Sequence, residues 1–492
     1  MTDSGRNLHE FTATSRSDRL AGSSASIRLA YLHLCSFGLL LVLGTTLALV
    51  GQFTVDPSNQ FVRADGFAER LRHLHAAIMT YLCLIPGVPA ALSGFLLPRL
   101  IGNEHCQSIH FARASLIAYW VAAIVIIISV LSGGIDSGIS YFATYSRHGH
   151  TASLGVAVGV LLMGLACTLK GLQAINSVRS LLSNKGRSRN VPALAYLFCL
   201  IGSVHLLLLP VQCVTITMMV VERLGGHAFF DPSRGGDAIL LRQISWSYLH
   251  PIILITVLPA FGLIAYVIEQ VSTRKGATHS ISVQSGVAVS ILGLLTWGVH
   301  LLQAGHSPLL STLSSALNLL LMVPMSLLIA DCLARLGRGK NEDRAGTLLA
   351  MGALLMLGLG LVAGVAPSLL GVNSSLHGTE FIVGHVHLLG SATCILSVLA
   401  GLNYLWGELV RGKWRTTVLL SLSICSIVAL FATFGIQLIE GIGEAHGQRL
   451  TETTLRHRSV LFEFGSVISS AGFLTVSIIF INAIIRGRKV HP

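Results

Sequence analysis

The chain has 492 residues, of which 52% are hydrophobic and only 11% charged, and its mean hydropathy is +0.73. This composition excludes a soluble globular protein and is typical of a polytopic membrane protein. The formal net charge of +12 is concentrated in loops and tails, which indicates contact with anionic membrane lipid and no nucleic-acid partner.

Three regions follow one another along the chain. Residues 1–28 are polar and rich in serine, so we expect a disordered cytoplasmic tail. Residues 29–485 are predicted to form one membrane domain, and residues 486–492 a basic cytoplasmic tail. The membrane domain contains twelve apolar runs, each of about 20 residues or more and so long enough to span a bilayer as a helix. They lie near 29–51, 74–97, 114–132, 152–175, 192–221, 247–268, 283–302, 309–334, 346–366, 380–406, 416–439 and 460–485.

The distribution of Lys and Arg predicts the orientation of these spans. If the N-terminus is inside, 22 of the 33 Lys and Arg lie in tails and inner loops, and 10 lie in outer loops. The remaining one, Lys170, lies within the fourth span. By the positive-inside rule, both termini are cytoplasmic. The sequence therefore predicts an all-α integral membrane protein of twelve helices in a bacterial-type inner (plasma) membrane.

Five of the twenty histidines share one depth in the predicted bundle. Spans two, six and ten enter the membrane from the outside and carry four of these histidines near their start. Span seven runs toward the outside and carries the fifth near its outer end. At 1.5 Å per residue, the five depths agree to within about two helical turns. A common depth favours a metal or haem layer, because neutral imidazole ligates both. These histidines are His75, His250, His300, His385 and His387.

Two further observations concern the positions of histidines within the predicted spans. His385 and His387 are two residues apart, so on an α-helix they point to nearly opposite faces and one helix could serve two sites. His205 in the fifth span lies nearer the middle of the bilayer, and we expect it to be packed or hydrogen-bonded.

Four segments resemble subunit I of the haem-copper oxidases, a superfamily that includes cytochrome c oxidases, quinol oxidases and nitric oxide reductases. The densest is AFFDPSRGGDAILLRQISWSYLHPIILITVLPAFGLIAYVIE (228–269), in which an outer loop leads into a helix with the pattern W-x-x-x-H-P. The others are LHAAIMTYL with LLPRLIG (74–102), TWGVHLLQAG (296–305) and HGTEFIVGHVH (377–387), in the family's order and spacing. The resemblance implies the twelve-transmembrane-helix bundle of that subunit.

The resemblance also implies roles for the five histidines. His75 and His387 match the axial ligands of a low-spin haem, and His385 matches the proximal ligand of a high-spin haem. His250 and His300 match two ligands of the adjacent copper. The implied cofactors are two haems of unknown type, copper, and a magnesium ion.

Three further positions match surroundings of these cofactors. His377 matches an outer-surface histidine near the haem propionates and the magnesium site. Trp246 matches a tryptophan that packs close to the copper. Arg449 is what remains of the paired arginines near the propionates.

The departures from the family affect its chemistry more than its fold. The third copper ligand aligns with Val299, which cannot bind a metal. The family's proton-donating Glu and cross-linked Tyr align with Ile252 and Leu254. Polar residues of the two proton channels align with His105, Ala112 and Leu328, and the Asp beside His377 is Gly378.

The expected function is therefore a respiratory terminal oxidase subunit that takes electrons from cytochrome c or a quinol and reduces dioxygen, in complex with subunits resembling II and III. Two alternatives remain open. Nitric oxide reductases of the superfamily also lack the Tyr and both proton channels. A non-catalytic haem protein, which carries electrons or regulates an oxidase, would explain the loss of a metal ligand. A transporter is disfavoured because the ligand-type histidines cluster and no internal repeat is found.

Overall fold

We describe the protein from a computed structural model, which covers residues 24–53, 67–101, 109–134, 151–183, 191–272, 278–302, 307–336, 344–406 and 413–446. These residues form helices joined by short connections. The first half contains α1 (Ser24–Phe53), α2 (Phe67–Ala77), α3 (Val88–Ile101), α4 (Ile109–Leu131), α5 (Thr151–Ser183), α6 (Ala193–Gly225) and α7 (Ala238–Ile255). The second half contains α8 (Val257–Val271), α9 (Thr278–Leu295), α10 (Pro308–Leu336), α11 (Arg344–Ser368), α12 (Leu370–Leu376), α13 (Glu380–Val386), α14 (Thr393–Trp406) and α15 (Lys413–Ala445).

Among the described residues, eleven helical stretches are long and apolar enough to cross a membrane. They coincide with the first eleven predicted spans, which confirms the all-α membrane fold. The twelfth predicted span, 460–485, and both predicted tails lie largely outside the described residues and stay predictions.

Two spans contain π-helical segments. Ile78–Gly87 connects α2 to α3, and His387–Ala392 connects α13 to α14. A π-helical turn interrupts the α-helical hydrogen-bond ladder and is found most often at functional sites. Both segments are adjacent to histidines of the predicted layer, since His75 lies three residues before the first and His387 begins the second.

The centre of the bundle is the span formed by α7 and α8. Most of its side chains are buried, including Ile252 and Phe261 at 0% exposure. By contrast, α4 and α10 leave large apolar side chains exposed, such as Ile117 and Leu327. In a membrane protein an exposed apolar face is the side that contacts lipid or another subunit. His250 on α7 therefore lies in the protein interior.

A short cap connects the end of α6 to the start of α7. The Glu222 carboxylate accepts hydrogen bonds from the backbone N–H groups of Phe229 (3.2 Å) and Phe230 (2.9 Å). Hydrogen bonds from Ser233 to the Asp231 carboxylate lower the pKa of that group, so it stays ionised and holds the turn. The cap thereby fixes the entry of α7 into the membrane.

Candidate haem and metal site

His385 near the end of α13 and His387 at the start of the following π-helical segment are held separately. His385 donates from Nδ1 to the carbonyl of Gly360 on α11 at 2.8 Å. Gly364, one turn further along α11, lies beneath the ring, and a Cβ there would approach His385 Cε1 to 2.8 Å. This fit requires glycine at 364, because Cβ atoms essentially never come within 3.0 Å of another heavy atom. The imidazole is therefore fixed in position with Nε2 directed away from its hydrogen bond.

His387 belongs to a second pair. Its Nδ1 lies 2.8 Å from the carbonyl of Val383, and its ring stacks on Phe434 with centroids 4.7 Å apart. His75 from α2 is close enough to His387 for the two imidazole charges to interact. The Nδ1 of His75 is bound to the carbonyl of Gly44 on α1 at 2.8 Å. Residues from α1, α2 and α15 thus converge on the face of His387.

These three histidines fit axial ligands of haem. In each, Nδ1 is bonded to a backbone carbonyl, which sets the tautomer and leaves Nε2 with its lone pair for a metal. None of the three side chains is fully buried, although each lies within a span.

His250 and His300 form a second, distinct cluster. The Nδ1 of His250 lies 2.9 Å from the Nε2 of His300, and the Nε2 of His250 lies 2.7 Å from the hydroxyl of Thr296. Two imidazoles on one tetrahedral metal at about 2.0 Å would place their nitrogens about 3.3 Å apart. The pair therefore fits two ligands of a metal, with Thr296 orienting one of them from the second ring nitrogen.

Trp246 supports this pair. Its ring stacks on His300 with centroids 3.7 Å apart and an interplanar angle of 6°. It lies one helical turn before His250 on α7, so one helix face supplies both the ligand and the support. Stacking of this kind holds an imidazole plane against rotation.

The third ligand position is not restored by another side chain in the described part of the chain. Val299 is 7% exposed, packed in the short 3-10 segment Trp297–Leu301. No group of three or more His, Cys, Asp or Glu that could hold a metal ion occurs among the described residues. Ile252 and Leu254, which the sequence resemblance aligns with the family's Glu and Tyr, are buried apolar side chains.

His377 lies at the outer edge of the same cluster. Its ring centroid is 6.1 Å from that of His300, and it precedes Gly378, whose φ of +90° turns the chain into α13. Partial burial, followed by the nearby Arg242 guanidinium, lowers the pKa of His377 from its usual value, so the ring is neutral at pH 7. Arg242 also lies 3.4 Å from the carbonyl of His300. Arg449 lies outside the described residues.

Sequence reasoning missed four groups that position these histidines. Thr296 and Arg242 lie within segments that resemble the family, but neither carries a distinctive spacing signal. Gly44 and Gly360 act through backbone carbonyls, which every residue has. The tertiary structure was therefore needed to find them. His205, by contrast, is buried as expected, but its Nδ1 has no hydrogen-bond partner among the described residues.

Comparison with known proteins places this chain in a family. Residues 28–485 match the family model described as "Cytochrome C and Quinol oxidase polypeptide I". Cytochrome c oxidase subunit 1 of Cereibacter sphaeroides is 27% identical over 350 residues, which cover 69% of this chain and 61% of that protein. The Synechocystis protein of the same name is 27% identical over 363 residues, covering 73% and 64%. The match thus spans less than two thirds of the length of these relatives.

A solved structure shows the same fold. A chain of a heme-copper terminal oxidase dimer, determined by cryo-electron microscopy, superposes with a TM-score of 0.74 and covers 96% of this chain and 85% of its own. At 13% sequence identity, this likeness concerns the fold alone. The family match over residues 28–485 shows that this chain belongs to the family of cytochrome c and quinol oxidase polypeptide I.

Proposed function

We propose that this chain is the catalytic subunit of a respiratory terminal oxidase, which takes electrons from cytochrome c or a quinol and reduces dioxygen. His75 and His387 would hold a low-spin haem, and His385 a high-spin haem. His250 and His300 would hold copper or another second metal beside it. When bound, these groups supply one-electron transfer and an open coordination position for a diatomic gas.

The observation that carries this proposal is the disposition of His385 and His387. Their Nδ1 atoms bind different carbonyls, Gly360 on α11 and Val383 on the same helix, so the two free Nε2 atoms serve different sides of one span. Two haems held by these residues would lie on opposite sides of one helix, and electrons would pass between them. Neither Nε2 has a hydrogen bond among the described residues, whereas a structural role in the core would favour bonding both ring nitrogens.

The membrane setting supports respiration. Eleven described spans make this a multi-pass membrane protein. We propose that it lies in a bacterial inner membrane with both termini in the cytoplasm, according to the excess of Lys and Arg in the inner loops. Its electron donor and its partner chains, resembling subunits II and III, are proposals from the family. His377 and Arg449 would border the haem propionates, and His377 a magnesium ion.

A second function is favoured by Val299. With a buried valine at the third ligand position, the second metal has two protein ligands among the described residues and weaker geometric control. This supports a haem protein that carries electrons without reducing dioxygen. A nitric oxide reductase with non-haem iron would use the same two histidines.

The deciding experiment is metal and haem analysis of the purified protein, with carbon monoxide binding followed by absorption spectroscopy. Two haems, one copper and a carbon monoxide-reactive haem, together with consumption of dioxygen, would support the oxidase. Two haems and one non-haem iron, with consumption of nitric oxide, would support the reductase. Haem without a second metal or gas consumption would support the electron carrier. A protein without haem would contradict all three.

A further inference from the structure

A buried polar cluster lies on the inner side of the bundle, away from the histidine layer. Lys170 on α5 is 5% exposed, Ser93 on α3 is 4% exposed and His205 on α6 is 2% exposed. The hydroxyl of Ser93 and the Nδ1 of His205 have no hydrogen-bond partner among the described residues. Buried polar atoms are normally satisfied by protein or by ordered water. We shall refer to these three residues as the inner cluster.

The three side chains line one cavity of about 20 Å³, bounded by α3, α5 and α6. A cavity of about this size holds one water molecule, which needs two to four polar partners. The Ser93 hydroxyl, the Lys170 amine and the His205 ring provide three. Cys167, one turn before Lys170 on α5, also lines the cavity.

The cavity lies beside the crossing of α5 and α6, where glycines meet. A Cβ on Gly171 would collide with the backbone of Gly202, and the reverse is also true, and both glycines line the cavity. Lys170 reaches across it to α3, where a Cβ on Gly94 would lie 2.9 Å from Nζ. His33 on α1 is close enough to Lys170 for an electrostatic interaction between the two side chains.

A second pair of polar side chains, Gln212 and Tyr248, lies further along the bundle from the inner cluster. A Cβ on Gly164 would collide with the Gln212 amide and lie 3.1 Å from the Tyr248 hydroxyl, so both point to the same spot on α5. Gln212 is seven residues after His205 on α6, and Gly164 is six residues before Lys170 on α5. The two antiparallel helices therefore give the same separation along the bundle, about 9–10 Å.

Neither proton route of the family is recognisable here, because the aligned polar positions include Ala112 and Leu328. We propose that the inner cluster is a hydrated proton-holding site, in which one internal water is bound by Ser93, His205 and Lys170. Lys170 exchanges a proton with the inner aqueous phase. Gln212 and Tyr248 extend the polar path toward the middle of the bilayer. An intramembrane Lys is costly to retain without such a function.

The exchange balances charge and rests on the proposed haem sites. An electrode, acting through small-molecule redox mediators, would supply one electron to a haem held by the proposed ligands. The amine of Lys170 would then take up at most one proton from the inner water, so that the added negative charge is compensated within the low-dielectric interior. Reoxidation would return that electron to the mediators and the proton to the inner water.

Hydration is tested first, by X-ray radiolytic labelling of the protein in detergent with mass spectrometry of its cysteines. Hydroxyl radicals form from bound water, so Cys167 should be oxidised several-fold faster than Cys83 and Cys394, which are buried and do not line the cavity. Ala90→Leu, which fills the cavity, or Ser93→Val should remove the excess. Labelling of Cys167 at the rate of the other two, or labelling unchanged in both variants, would overturn the proposal.

Proton exchange is tested by the pH dependence of the haem midpoint potential. In the wild type the potential should fall as pH rises, and Lys170→Met should flatten this dependence. Lys170→Arg should flatten it equally, because a guanidinium keeps the charge but cannot release a proton. Ser177→Ala, two turns further along α5 and away from the cavity, is the matched control and should keep the wild-type slope.

The outcomes separate the two proposals. Absence of haem in the wild type would contradict the proposed function. Haem with normal spectra and equal slopes in the wild type, Lys170→Met and Lys170→Arg would overturn the proton-holding site alone. A wild-type slope in Lys170→Arg with a flat slope in Lys170→Met would show that Lys170 acts only as a fixed charge, which also overturns it.

Discussion

The hydroxyl of Thr296 lies 2.7 Å from the Nε2 of His250, on the opposite side of the ring from His300. A ligating histidine whose other nitrogen is held in this way has a fixed orientation, and loss of such a partner lowers metal affinity about 10–100-fold. We therefore expect Thr296→Val to lower metal affinity by this factor. Copper titration of purified protein, with bound metal counted by mass spectrometry, measures it. Thr312→Val, an exposed threonine on α10 bonded to its own helix, should bind as the wild type does.

The proposed low-spin haem site gives a second prediction. His75→Ala or His387→Ala should each abolish the bis-histidine absorption spectrum, because either change removes one of the two proposed axial ligands, while the protein stays folded in the membrane. Reduced-minus-oxidised difference spectra of purified protein provide the measurement. His73→Ala, on the same helix as His75, is the control and should keep the spectrum. A normal bis-histidine spectrum in either ligand variant would refute the assignment.

Gly364 gives a third prediction, because its missing side chain makes room for the His385 ring. In Gly364→Ala the new methyl group would sit 2.8 Å from Cε1, so the ring must move or the site must bear an overpacking penalty of about 1–3 kcal/mol. We expect a smaller fraction of haem to bind carbon monoxide, with the bis-histidine spectrum intact. Gly371→Ala, where a Cβ meets nothing within 4 Å, should change neither. Full carbon monoxide binding in Gly364→Ala would show that His385 is not held as described.

The cap between α6 and α7 gives a fourth prediction. Glu222 is 5% exposed and satisfies two backbone N–H groups, so Glu222→Ala leaves both without a partner and should destabilise the cap by about 1–3 kcal/mol. Faster proteolysis between α6 and α7 reports this. Arg234→Ala removes an ion pair whose arginine is 45% exposed, and should have little effect because such pairs are screened by water. Equal sensitivity of the two variants would contradict this ranking.

The fold could be predicted from the sequence because its main determinant is local. Apolar runs of about 20 residues specify spans one at a time, and backbone groups in lipid can only be satisfied within a helix. The eleven described spans confirm this. The common depth of the histidines followed from the same counting, since position along a span is depth in the membrane.

The contacts within the site could not be predicted in this way. His250 and His300 are fifty residues apart, and nothing in either segment indicates that their nitrogens lie 2.9 Å apart. The carbonyl of Gly360 is chosen by the packing of α11 on α13, not by residue type. The ligand roles assigned to the histidines likewise stay predictions, because they concern haems and a second metal that the metal and haem analysis tests.

The π-helical segment His387–Ala392 also makes this span sensitive to chain length. A single π turn accommodates one residue more than an α turn, so the segment corresponds to a one-residue insertion in an α-helix. Deleting that residue would let the α-helix run on, but would rotate one end of the span against the other by about 100°. His387 or the residues of α14 would then face different neighbours. The number of residues in this short segment therefore sets how the side chains of α13 are rotated relative to those of α14.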